Sequence, residues 1–215
     1  MKYKAVLFDL DGTILETLED LSNSVNFALA KNNYPTHSID AIRLFVGNGI
    51  RKLMERSCPV GSSVEEVDRV HSDFTEHYKV HCNDKTRPYD GIIEMLDTLR
   101  AHGVKLAVLS NKADYAVKDL CKLHFDGLFD VAQGEITGIP RKPSPEGVNI
   151  ILEKLGVSSA ECAYIGDSDV DVETARNSGL DCIAVDWGFR DRDNLLNAGA
   201  KIIVSTAEEL TNMLI

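Results

Sequence analysis

Asp9 and Asp11 stand two residues apart at the end of an apolar run, Ala5 to Leu10, and are followed by Gly12 and Thr13. Side chains alternate along a strand, so carboxylates at this spacing leave on the same side. Like charges that close require a cation, a proton or hydrogen bonds to compensate them. A carboxylate can also act as a nucleophile toward phosphorus, which sets anion against anion and again calls for positive charge. Further polar sets lie downstream: Ser110-Asn111-Lys112, Lys142 in the proline-rich stretch 134–145, and Gly166-Asp167-Ser168-Asp169-Val170-Asp171. Asp9, a backbone carbonyl near Asp11 and Asp167 are hard oxygen donors suited to Mg²⁺. Lys142 can balance the remaining charge as a point cation. Ser110 with the backbone N–H groups after it, and Thr13 beside Gly12, can hold phosphate oxygens. Asp11 is placed to protonate a leaving alkoxide and then to activate water.

These sets must be brought together by the elements that carry them. Asp9 stands near the end of one short apolar run of strand character, Ala5 to Leu10, while Ser110 and Asp167 follow two others, Val104 to Leu109 and Cys162 to Ile165. Helical stretches alternate with these runs, at 92–101, 113–124, 146–155, 171–178, 192–198 and 207–214, with short strands expected near Phe129 to Val131, Cys182 to Val185 and Lys201 to Val204. Strand–helix alternation predicts α/β architecture, a doubly wound parallel, Rossmann-like sheet covered on both faces. Ligands of such sheets bind beyond the carboxyl ends of the strands, where all the polar sets fall. Between residues 16 and about 84 the pattern is of helices joined by loops, with no convincing strand. One stripe is Leu18, Leu21, Val25, Ala28 and Leu29, another Val64, Val67, Val70, Phe74 and Tyr78, with Ser38 and Ser63 as N-caps. The expected organisation is a core of 1–15 and 85–215 with a helical insertion at 16–84.

Bulk properties narrow the class. The 215 residues suffice for one α/β domain with a small insertion, and the net charge of −11 argues against binding a nucleic-acid backbone. Five scattered cysteines without a CxxC pair suit a reduced, cytoplasmic setting, and neither a signal peptide nor a membrane-length apolar run is legible. No GxxxxGK[ST] loop occurs, and Gly47-Asn48-Gly49 lacks the third glycine of a dinucleotide fingerprint. His77 and His81, one helical turn apart beside Cys82, lack the second pair that a zinc site needs. Asp169 reads as a helix-start residue and Trp187 as packing near the site.

In order along the chain, Asp9-Leu10-Asp11-Gly12-Thr13, Ser110-Asn111-Lys112, Lys142 before Pro143, and Gly166 to Asp171 resemble the four motifs of the haloacid dehalogenase-like phosphohydrolases. The helical insertion is similar to the cap of their phosphoglycolate phosphatase and β-phosphoglucomutase branch. That resemblance implies Asp9 as nucleophile, Asp11 as general acid and base, and Lys142 as charge-balancing cation. It implies Mg²⁺ on Asp9, the Asp11 carbonyl and Asp167 with Asp171 in support, and phosphate binding by Thr13, Ser110 and Asn111. Aspartate at position 11 resembles a phosphotransferase pattern rather than a dehalogenase one, and Thr13 a phosphatase rather than the mutase.

Val46-Gly47-Asn48-Gly49 followed by Arg51 and Leu53, and Trp187-Gly188-Phe189-Arg190 followed by Ala198-Gly199-Ala200, are similar to phosphoglycolate phosphatases. On this reading Gly47, Asn48 and Gly49 form a loop that bends over the site, and Arg51, Arg43 or Lys52 offers a cation to a short anionic substrate. The implied activity is hydrolysis of a small phosphate ester, 2-phosphoglycolate first, by a monomer or homodimer that engages no nucleic acid or membrane. An inorganic pyrophosphatase, a sugar-phosphate phosphatase or a nucleotidase shares the chemistry. A phospho-acceptor switch also uses acids, a lysine and Mg²⁺, but it is shorter, lacks a cap and has no use for a hydrolytic carboxylate at Asp11. A silent binding protein is disfavoured by the intact Asp9, Asp11, Lys142 and Asp167.

Overall fold

The computed structural model of the protein describes residues 2–215. The elements run β1 (Ala5–Phe8), β2 (Leu15–Glu16), α1 (Leu18–Lys31), α2 (Ile39–Phe45), α3 (Ile50–Ser57), α4 (Val64–His81) and β3 (Arg87–Pro88). They continue with α5 (Ile92–Ala101), β4 (Lys105–Ala113), α6 (Asp114–His124), β5 (Val131–Glu135) and α7 (Glu146–Leu155). The last are β6 (Cys162–Gly166), α8 (Asp169–Ser178), β7 (Asp181–Val185), α9 (Arg192–Ala198), β8 (Ile203–Val204) and α10 (Ala207–Leu214).

The main sheet has six strands in the order β5-β4-β1-β6-β7-β8, every pair parallel, as the strand–helix alternation predicts. The two-residue period of β1 divides the core into two layers. Val6 and Phe8 join Leu106, Val108, Ile165 and the buried faces of α5, α6 and α10 on one side. Ala5 and Leu7 join Ala107, Leu109, Tyr164 and the buried face of α7 on the other. β1 is buried at every position because both its faces are covered, which is why it reads as a continuous apolar run. Burial of each such Leu, Ile or Phe contributes about 1.5–3 kcal/mol. The order places β1 between β4 and β6, so three central strands deliver their carboxyl ends side by side.

The chain forms two compact units, one made of the segment ending at Leu15 with Pro88–Ile215, the other of Glu16–Arg87. β2 and β3, where the chain passes between the units, pair as a two-stranded ribbon that the helical pattern does not announce. Inside the helical unit, α1 and α4 bury Leu21, Val25, Val70, Phe74 and Tyr78. Ser63 starts α4 with a reciprocal capping box to Glu66, while Val64, the first stripe residue, is exposed. Asp20 is buried and accepts from the backbone N–H groups of Lys85 and Thr86, which closes the unit at its other end.

The strand boundaries that differ most from expectation are those of β4 and β5. β4 runs on through Ser110, Asn111 and Lys112 to Ala113, because Ala113 still pairs with Glu135 of β5 across an irregular register. β5 starts at Val131, because Phe129 packs edge-on against Phe8 and Phe125 in a ring cluster.

Candidate active site

β1 ends at Phe8, and the chain turns at once: Thr13, Ile14 and Leu15 each donate a backbone N–H to the Leu10 carbonyl. Gly12 takes φ +85° in this turn, and a methyl group there would lie 2.4 Å from Asp167 Oδ2. Only glycine meets both conditions. Gly188 is tied down in the same way, since a methyl there would lie 2.3 Å from the Gly12 carbonyl oxygen and 2.4 Å from Asp167 Cβ. The two glycines leave just the room that the Asp167 side chain fills.

Asp9, Asp167 and Asp171 bring carboxylate oxygens within 4.8 Å of one another, and all three residues are buried. The Lys142 ammonium bridges Asp9 Oδ1 at 2.9 Å and Asp171 Oδ1 at 2.8 Å. Asp171 sits in the first turn of α8, where it also accepts from the Ser168 hydroxyl at 2.6 Å and the Tyr164 hydroxyl at 3.1 Å. Ser168 is the helix N-cap, so the capping box of α8 fixes this carboxylate. Asp167 accepts from Thr13 Oγ1 at 2.8 Å and from the Phe189 N–H at 2.7 Å. Trp187 donates its indole N–H to the Thr13 carbonyl at 3.0 Å.

Three buried carboxylates thus face a single ammonium. Burial raises the Asp9 pKa well above its usual range; Lys142 opposes this, and the charges of Asp171 and Asp167 add to it. Burial and Asp171 likewise push Asp167 up to about 7. Burial works against the charge of Lys142, yet Asp171 and Asp9 outweigh it and hold the ammonium protonated. The uncompensated charge and the hard oxygen donors fit a divalent metal ion.

Lys142 is positioned from β4. The Asn111 side chain accepts from the Lys142 N–H at 2.9 Å and donates to the Lys142 carbonyl at 3.1 Å. Asn111, expected to touch phosphate, therefore braces the loop that carries the lysine. Ser110 is buried beside it, and its hydroxyl accepts from the Lys112 N–H at 3.3 Å. Asp11 lies outside the three-carboxylate group; its Oδ1 accepts from the Lys112 ammonium at 2.8 Å. The sequence alone assigns no role to Lys112, Tyr164, Gly188 or the Phe189 N–H. Ser168-x-x-Asp171 is a legible capping signature, whereas the pairing of Asp11 with Lys112 spans 101 positions and has no local signal.

In the helical unit, Gly47 and Gly49 take φ +123° and +83°, and Gly49 caps α3. The Asn48 carbonyl oxygen of the side chain accepts from Arg56 at 2.7 Å. Arg51 pairs with Glu55 at 3.2 Å and with Asp68. Its guanidinium is thus engaged within the helical unit. His77 and His81 stack with centroids 4.2 Å apart, His77 bonding Ser24 and His81 bonding Asp84.

The parallel sheet with acids at its carboxyl edge and a lysine bridging them defines a hydrolase class. The chain belongs to the haloacid dehalogenase-like hydrolases, whose family pattern matches residues 6–185. Among its relatives, a phosphoglycolate phosphatase of Mesorhizobium japonicum is 33% identical over 89% of this chain and 86% of its own length. An N-acetylmuramic acid 6-phosphate phosphatase of Pseudomonas aeruginosa is 30% identical over 100% of this chain and 96% of its own. A crystal structure from Lactobacillus delbrueckii subsp. bulgaricus, provisionally assigned as a phosphoglycolate phosphatase, superposes with a TM-score of 0.96 at 40% identity. It covers 100% of this chain and 99% of the other.

Proposed function

We propose that the protein is a Mg²⁺-dependent phosphomonoesterase working through an aspartyl-phosphate on Asp9, with 2-phosphoglycolate its first candidate substrate. The observation that carries this reading is the buried group of Asp9, Asp167 and Asp171, in which Lys142 bridges Asp9 and Asp171. Asp9 attacks phosphorus, the ester oxygen leaves with a proton from Asp11, and Asp11 then takes a proton from the water that displaces Asp9. Lys142 holds Asp9 in place and balances negative charge as it develops. Thr13 and Ser110 are assigned to the phosphate oxygens. Mg²⁺, held by Asp9, the Asp11 carbonyl and Asp167 with Asp171 in support, would supply the charge stabilisation that the single lysine leaves incomplete. In this reading the helical unit is a cap, and the Gly47-Asn48-Gly49 loop with Arg51 selects the leaving group.

The names of the two curated relatives share a chemistry: each denotes a phosphate monoester that also carries a carboxylate. The discriminating panel is 2-phosphoglycolate, N-acetylmuramic acid 6-phosphate, a neutral sugar 6-phosphate and pyrophosphate, each with and without Mg²⁺. Release of phosphate only with Mg²⁺, and fastest from a carboxylated ester, is the expected result. Preference for pyrophosphate or the neutral sugar ester would keep the Asp9 chemistry and overturn the substrate assignment. Silence on every ester would overturn the enzymatic reading.

A further inference from the structure

Asp11 is held by a partner outside the Lys142 cluster. The Lys112 ammonium lies 2.8 Å from Asp11 Oδ1, with side-chain exposures of 3% for the lysine and 15% for the aspartate. Lys112 sits near the end of β4, between Leu109 and Ala113, the two positions on either side of it that pair with β5. The Lys112 N–H is also tied to Ser110 Oγ at 3.3 Å. Burial of a lysine is unfavourable unless its charge is paired, and the carboxylate of Asp11 supplies such a pairing. The bond engages Oδ1 of the carboxylate.

From this geometry we infer that Lys112 is a positioning residue for proton transfer by Asp11, distinct in task from Lys142. The inference rests on the phosphomonoesterase reading above. In the first step the Asp9–phosphorus bond forms, the phosphorus–ester oxygen bond breaks with its electron pair on the leaving oxygen, and the second oxygen of Asp11 delivers a proton there. In the second step water oxygen bonds to phosphorus, its proton returns to the Asp11 carboxylate, and the electron pair of the broken bond returns to Asp9. Lys112 acts by fixing the rotamer that aims this second oxygen. A freely rotating carboxylate would lose part of the orientation on which general-acid catalysis depends.

The test compares an ester that needs a proton on its leaving group with one that does not. Lys112→Gln and Lys112→Arg are measured with the best alkyl phosphate of the panel and with p-nitrophenyl phosphate, whose phenolate leaves unprotonated. Because kcat/KM reports the steps up to phosphoenzyme formation, Lys112→Gln should lower it at least about tenfold more for the alkyl ester than for the nitrophenyl ester. Lys112→Arg, which keeps a cation, should restore much of the alkyl-ester rate. Equal losses on both esters, in a variant that melts like the parent, would show a merely structural lysine and overturn the inference. So would unchanged alkyl-ester kcat/KM in Lys112→Gln. Failure of the parent protein on both esters would instead overturn the phosphomonoesterase reading beneath it.

Discussion

Asp167 shows how burial and like charge act on one residue. Its carboxyl is pushed from an ordinary 3.8 to about 7, burial first and Asp171 second, against the Phe189 N–H and Thr13 bonds that pull it down. A raised carboxyl pKa means that the folded state holds this proton more tightly than the unfolded chain does. The resulting stabilisation is complete below the ordinary value and is lost as pH rises through about 7. A divalent ion competes with that proton, so Mg²⁺ should raise the melting temperature more at about pH 8 than at about pH 5.5. Asp167→Asn should flatten this difference. An equal Mg²⁺ effect at both pH values in the parent protein would contradict the assignment of Asp167 to the metal.

At the scale of elements, the residues just beyond β1 and β6, the last residues of β4 and the loop before α7 build the site. The brace from Asn111 to the Lys142 backbone links the end of β4 to the loop before α7, and both its bonds are buried. Asn111→Ala removes them and leaves a buried N–H and carbonyl unsatisfied, a loss of about 1–3 kcal/mol. Thermal melts should show that loss, and turnover should fall because Lys142 is no longer fixed against Asp9; a variant with parental stability and turnover would refute the brace. The elements themselves were largely legible. Continuous apolar runs marked β1 and β6 because both their faces are covered, and three-and-four spacing marked α1 and α4. The features that escaped were decided by partners distant in sequence. β4 continues through polar residues because β5 pairs with it, and β5 begins late because Phe129 is drawn into the rings of Phe8 and Phe125. Asp9, Asp167 and Asp171 stood out by their place beyond apolar strands, Lys142 by its loop before a helix, and the family resemblance joined them. The contacts of Asn111 and Lys112, by contrast, are made with residues 31 and 101 positions away.

For the whole molecule, no helix among the described residues is long and apolar enough to cross a membrane, and all five cysteines are free thiols. The chain carries a net charge of −11, so an anionic substrate approaches against the overall field. Local positive charge must therefore come from within the site, where Lys142 is clamped between Asp9 and Asp171 and Lys112 is clamped to Asp11. The account as a whole depends on Asp9 as the group that takes the phosphoryl. Its most direct measurement is phosphate release by Asp9→Asn beside the parent protein, with Mg²⁺ and the best ester of the panel, after both have been melted. The change removes a carboxylate whose burial is unfavourable, so the variant should melt at or above the parent temperature while turnover falls below about a thousandth. A well-folded Asp9→Asn protein that releases phosphate at the parental rate would contradict the central claim.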